Sequence, residues 1–151
     1  MIADEPTTAL DMVVQSQIIG LLKKLHKEKG ITIILITHDL ALVSQITDRI
    51  GIMYAGQVVE FSTTKDIYKN ASHPYTQALI EAIPKLRTED KKIHFVKGSP
   101  PSLLIPPPGC RFRERCVYAM DVCKIDPPEF EIQTGFVRCW LYDGSKENPQ
   151  H

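Results

Sequence analysis

The chain has 151 residues, 43% of them apolar, with 18 Lys and Arg against 18 Asp and Glu. That apolar content supports one compact core with a small appendage and excludes a largely disordered chain, while balanced charge offers no general field for nucleic acid or an anionic membrane surface. No apolar run reaches the roughly 20 residues that cross a bilayer, and the acidic start lacks the basic-then-apolar pattern of a secretory signal, so a cytosolic chain that binds no nucleic acid is expected.

Residues 1–61 alternate strand and helix, the pattern of a parallel sheet with crossover helices. Ile2 and Ala3 end a strand that stops at Asp4 and Glu5, and Pro6 forbids its continuation. Asp11 is a good N-cap for a helix over residues 12–28, whose Val14, Ile18, Leu21, Leu22 and Leu25 share one face. Gly30 stops that helix. The β-branched run over residues 31–37 fits a strand buried between helices and ending at His38.

Asp39 caps a short helix through Ile46. Strands over 49–54 and 57–61 form a hairpin around Ala55-Gly56, and two helices follow over 64–68 and 74–83, the second opening with Pro74. Beyond Pro84 the chain becomes charged over residues 85–92 and then proline-rich at 100, 101, 106, 107 and 108. A domain boundary is therefore expected at 84/85, giving domains 1–84 and 85–151. The second holds all four cysteines and a hairpin of 129–133 against 136–141, a lobe too small for stability by apolar burial alone, for which a metal staple would be valuable.

An acidic pair at the C-terminal edge of a strand sits where α/β sheets place their ligands. Asp there organises Mg²⁺, and a neighbouring Glu orients or deprotonates the water that attacks a γ-phosphate. The bland alternative is two carboxylates ending a strand in a solvated turn. Context decides between them. The run Ile2-Ala3-Asp4-Glu5-Pro6-Thr7-Thr8-Ala9-Leu10-Asp11 resembles the Walker B motif and D-loop of ABC-type ATPases. His38, 27 positions past Asp11 in Ile36-Thr37-His38-Asp39, resembles the same family's switch histidine.

The resemblance implies an α/β fold, the C-terminal part of an ABC-type nucleotide-binding domain with a small, irregular Cys-rich C-terminal lobe. It implies catalytic roles for Glu5 and His38, an Mg-ATP role for Asp4 and a D-loop role for Asp11 in coupling two ATP sites. The sequence holds no Gly-rich phosphate loop ending in Lys-Ser/Thr, no Q-loop and no Leu-Ser-Gly-Gly-Gln-type signature. ATP hydrolysis by this chain alone is therefore not expected.

His73-Pro74-Tyr75-Thr76-Gln77-Ala78-Leu79, Gly98-Ser99-Pro100-Pro101-Ser102-Leu103 and Pro108-Gly109-Cys110-Arg111-Phe112-Arg113-Glu114-Arg115-Cys116 look like the oligopeptide/dipeptide importer subgroup. Nickel importers of similar build stay open. The subgroup resemblance implies a subunit peripheral to the cytoplasmic face of the cell membrane, partnered by transmembrane permease subunits and by a second ATP-binding subunit. The alternative is a non-catalytic fragment that keeps only metal binding and subunit contact.

Cys110, Cys116, Cys123 and Cys139 carry wider spacings than the tight knuckles of zinc sites, which tilts the reading to a four-iron four-sulfur cluster, as the subgroup resemblance also implies. Zn²⁺, or reduced cysteines and disulfides without metal, remain open. Trp140 is placed to shield such a site, and Arg111, Arg113 and Arg115 read as a solvated basic face.

Overall fold

The computed structural model describes residues 1–83 and 98–144. The boundary expected at 84/85 and the charged stretch 85–92 lie outside the described residues. The chain divides into two compact units, Met1–Thr47 and Asp48–His151.

In the first unit, β1 (Ile2–Asp4), α1 (Met12–Lys29), β2 (Ile34–Ile36) and α2 (Leu40–Val43) follow in order. β1 and β2 pair in parallel, with Ile2 opposite Ile34 and Asp4 opposite Ile36. Parallel strands need a crossover between them, and α1 supplies it. Asp11 caps α1 as its residue type requires, Oδ1 accepting the Val13 and Val14 amides at 2.9 Å each. Gly30, with φ 63°, closes the other end.

Two expectations need correction here. On α1 the buried residues are Ile19 and Leu22, while Leu21 is 52% exposed, so the inward stripe runs through Ile19 and leaves Leu21 outside. The strand expected over 31–37 contracts to three residues, and Ile34 and Ile36 are 58% and 48% exposed. A parallel strand is buried on both faces only where further layers flank it. Among the described residues β2 pairs with β1 alone.

The second unit contains β3 (Arg49–Tyr54), β4 (Gln57–Thr63), α3 (Thr64–Asn70), α4 (Pro74–Glu81), β5 (Phe130–Ile132) and β6 (Gly135–Val137), with short 3-10 turns at Arg113–Arg115, Asp121–Lys124 and Trp140–Tyr142. Both expected hairpins form, though the last strand stops at Val137 and Leu141 lies in a 3-10 turn. The hairpins are joined: β4 pairs antiparallel with β6, giving one sheet in the order β3-β4-β6-β5. The Cys-rich segment is therefore not a lobe on its own, because its hairpin completes the sheet that β3 and β4 begin.

That junction depends on two features. Gly135 comes so close to β4 that a Cβ there would sit 1.8 Å from the Phe61 carbonyl oxygen, so only glycine permits the approach. At the turn that follows β5, the Thr134 hydroxyl donates to Asp66 Oδ2 at 2.6 Å, and Thr63 donates to the same oxygen at 2.7 Å. These bonds tie the turn to the start of α3 and hold the Asp66 carboxyl below its ordinary pKa.

The core beneath the sheet includes Val137, Cys139 and Leu141, packed by Met120, Phe130, Ile132 and Tyr142. Glu60, only 1% exposed, also points inward. Its two carboxylate oxygens accept the amides of Ser72 at 2.7 Å and His73 at 2.9 Å. These are donors just ahead of α4, where helix N-termini attract negative charge. Burying a carboxylate is costly unless it is hydrogen-bonded in this way.

Gly135→Ala should destabilise the second unit by about 2 kcal/mol or more, since neither backbone at the contact can yield without breaking the β4–β6 pairing. Denaturant unfolding of the 151-residue protein measures this. A variant as stable as the parent would contradict the close approach.

Candidate functional site

β1 ends at Asp4, and the ladder continues for one more bond, from the Glu5 amide to the Ile36 carbonyl at 2.8 Å. Parallel register therefore places the residue after β1 beside the loop that follows β2. Glu5 Oε1 lies 2.8 Å from His38 Nδ1, although 33 residues separate them. An ionised carboxylate only accepts, so the imidazole Nδ1–H is the donor. The Thr8 hydroxyl donates to the other oxygen, Oε2, at 2.6 Å.

The backbone here is unusual. Glu5 has φ 45° and Ala9 φ 60°, a region that costs a non-glycine residue on the order of 1–3 kcal/mol and is concentrated at functional sites. The turn is held from several sides: the Thr8 amide donates to the Glu5 carbonyl at 3.1 Å and Leu10 to Thr7 at 3.3 Å. Gln15, on the first turns of α1, donates to the carbonyls of Thr7 at 3.3 Å and Leu10 at 3.2 Å.

Electrostatics follow the contacts. The Thr8 hydroxyl first, then His38, hold the Glu5 carboxyl below its usual range. The Glu5 bond and charge hold the His38 imidazole above its ordinary value, with Asp39 adding to the effect. The pair is open to solvent, His38 being 81% and Glu5 37% exposed at the side chain. It can accept a proton at Glu5 and present the outer edge of the His38 ring to an anion.

Asp4 stands exposed at the end of β1, opposite Ile36. Asp11 stands apart in role, because its Oδ1 is engaged in capping α1. Thr8 and Gln15 escaped the sequence reading. A hydroxyl three residues past Glu5 across a Pro-containing turn is the signal that points to Thr8, whereas nothing in the sequence distinguishes Gln15 from an ordinary helix residue.

The four cysteines gather in the second unit. Cys110, Cys116, Cys123 and Cys139 line one apolar cavity of about 10 Å³, together with His73, Phe112, Met120 and Trp140. Gly109 makes the first approach possible, with φ 79° and a built Cβ only 2.4 Å from the Lys124 carbonyl carbon. The Cys110 amide then donates to the Cys123 carbonyl at 2.9 Å. His73 is buried and neutral. Its Nδ1 accepts the Tyr75 amide at 3.0 Å, and burial lowers its pKa to about 4.

All four cysteines are free. Burial raises the Cys110 thiol and pushes Cys116 up to about 11 and Cys139 up to about 12, whereas metal ligation needs thiolates. Among the described residues no group of three or more His, Cys, Asp or Glu could hold a metal ion, and the cavity is roughly the size that admits one water. The described residues thus show no preformed iron–sulfur or zinc centre: four cysteines line one pocket, and burial favours the thiol form of Cys110, Cys116 and Cys139.

The basic stripe also needs correction. Arg111 donates through Nη1 to the Ala55 carbonyl. Arg115 donates to the Tyr54 hydroxyl at 3.2 Å and lies 5.9 Å from the ring centres of both Tyr54 and Phe112. These cations dock the cysteine segment onto the β3–β4 hairpin. Trp140 matches its expected place, lining the cavity and donating to the Ile125 carbonyl at 2.9 Å.

Residues 59–123 match the family described as oligopeptide/dipeptide transporter, C-terminal region. The chain is 45% identical over 145 residues to the dipeptide transport ATP-binding protein DppD of Caldanaerobacter subterraneus, covering 95% of this chain and 44% of that protein. Over nearly its whole length the chain is thus similar to part of the ATP-binding proteins of peptide transport. It is 43% identical over 150 residues to DppD of Bacillus subtilis, covering 98% of this chain and 45% of the relative. With the oligopeptide transport ATP-binding protein OppD of Escherichia coli the identity is 44% over 138 residues, 91% of this chain and 41% of the relative. The chain thus spans less than half the length of these relatives. Its mixed helix and sheet structure is consistent with the C-terminal part of an ABC ATPase domain, and no described helix is long and apolar enough to cross a membrane.

The Glu5–His38 contact sets a pH window. The raised His38 pKa means its contribution is fully present below the ordinary 6.5 and is lost as pH rises through the raised value. The lowered Glu5 pKa means its contribution is present above the ordinary 4.5 and is lost as pH falls through the lowered value. NMR titration should find His38 above its ordinary value in the parent and back near it in Glu5→Gln. An unchanged His38 would show that the pair does not form.

Proposed function

We propose that this chain supplies the hydrolytic edge of a nucleotide site in a peptide-transporter ATP-binding subunit. The observation that carries the reading is the 2.8 Å contact between Glu5 and His38, on the strand ends where α/β sheets hold ligands. Glu5 is the base that takes a proton from the water attacking a γ-phosphate, and His38, steadied through Nδ1, faces the phosphate with the opposite edge of its ring. Asp4 is the residue that would hold Mg²⁺, which neutralises phosphate charge when bound. Asp11, at the start of α1, is the residue through which a paired ATP site would be sensed.

On this reading the subunit works at the cytoplasmic face of the membrane with permease subunits and a second ATP-binding subunit, and ATP turnover drives peptide transport. The names of the relatives support the peptide class. Because this sequence contains no Gly-rich loop with Lys-Ser/Thr, binding of the β- and γ-phosphates needs residues from elsewhere.

The decisive experiment joins this chain to the upstream part of the Bacillus subtilis relative and measures ATPase activity. Glu5→Gln in that chimera should lower turnover by about 100-fold or more while nucleotide binding persists, as expected for loss of a general base. Equal turnover would exclude Glu5 from the chemistry.

A second reading, metal binding and subunit contact without catalysis, is favoured by the thiol pocket alone. Four thiols sharing one cavity would become thiolate ligands if iron or zinc displaced their protons to solvent, and the cluster reading proposes that this is what the pocket is for. Protein purified without oxygen should then show broad visible iron–sulfur absorbance that disappears in Cys139→Ser. Colourless, zinc-free protein with four titratable thiols would contradict it.

A further inference from the structure

Thr8 has no part in the chemistry described so far, yet its hydrogen bond to the Glu5 side chain is shorter than that of His38. The turn from Glu5 to Thr8, closed by the 3.1 Å amide-to-carbonyl bond, folds the Thr8 hydroxyl back to Oε2 at 2.6 Å. Pro6 stands second in that turn, where its fixed φ favours closure. His38 holds the other oxygen at 2.8 Å.

The terminal torsion of a Glu side chain is broad. One hydrogen bond leaves the carboxylate free to turn about it, whereas two bonds on different oxygens fix its plane. Thr8 and His38 provide those two bonds from opposite ends of the site, one from the turn after β1 and one from the loop after β2. Gln15 braces the same turn through the Thr7 and Leu10 carbonyls, so the hydroxyl is delivered by a held backbone and not by a loose loop.

We infer that Thr8 is a positioning residue for Glu5: its hydroxyl fixes the carboxylate plane so that Oε1 faces the His38 ring, holding that ring as the Nδ1–H tautomer with Nε2 turned outward. This rests on the reading of Glu5 and His38 as the hydrolytic pair. It assigns Thr8 a task that a turn-capping hydroxyl alone would not have, since capping has no effect on which ring nitrogen of His38 carries the proton.

The test is nitrogen NMR of His38 in the 151-residue protein, at a pH where the ring is neutral. The parent should show mainly the Nδ1–H form. Thr8→Val should lose that preference and revert to the Nε2–H form that free imidazole favours, Thr8→Ser should restore it, and Glu5→Ala should abolish it. Amide shifts of β1 and α1 report whether each variant is folded, and Thr8→Ala serves if the valine variant is not. Retention of Nδ1–H in folded Thr8→Val or Thr8→Ala, with its loss in Glu5→Ala, overturns the role of Thr8 and leaves the pair intact. Retention in Glu5→Ala as well means that Glu5 does not hold the ring, which overturns both.

Discussion

The site depends on the parallel pairing of β1 with β2. Glu5 and His38 stand 33 residues apart in the chain, and neither has a local reason to meet the other. The register that sets Asp4 opposite Ile36 carries one bond further, to the Glu5 amide, and so brings the two strand ends level. A slip of one residue would turn every side chain of β1 to the other face, taking Glu5 from His38 even if both strands survived. The helix caps at Asp11 and Gly30 matter because they set the length of the crossover that returns the chain in this register.

In the second unit a buried carboxylate has a comparable role. Glu60 lies on β4 and accepts the two amides ahead of α4, which fixes where His73 enters the core. His73 in turn helps to wall the cavity that the cysteines line. The close passage at Gly135 and the Arg111 and Arg115 contacts bring the cysteine segment against the same sheet. Strand pairing, charge burial and cation–aromatic contact thus all help to bring the walls of the thiol pocket together.

Local chemistry was readable in the sequence wherever a residue type is tied to one conformation. Asp11, Gly30, Asp39 and Pro74 mark helix ends that the structure keeps, and Ala55-Gly56 makes the expected turn, because caps and turns are short-range hydrogen-bond and φ constraints. The meeting of Glu5 with His38 was legible through motif order. Long-range matters were not. The pairing of β4 with β6 depends on contacts across a wide sequence gap. Ile19 and Leu21 lie on nearly opposite sides of α1, but apolar residues surround much of that helix, so periodicity alone does not choose the inward side. The same limit made Arg111 and Arg115 look like a solvated face, since their acceptors at Ala55 and Tyr54 lie far back in the chain. The cysteine spacing revealed that four thiols share a place, but not the burial that raises the pKa of Cys110, Cys116 and Cys139.

The central claim is that strand register, and not chance proximity on a loop, places Glu5 beside His38. A scalar coupling across the hydrogen bond from the Glu5 amide nitrogen to the Ile36 carbonyl carbon tests it directly. The account requires a measurable coupling, together with slow exchange of the Glu5 amide comparable to that of residues within β1 and β2. No coupling, with exchange at the rate of an unstructured peptide, would mean that the ladder ends before Glu5 and that the site is not built as described.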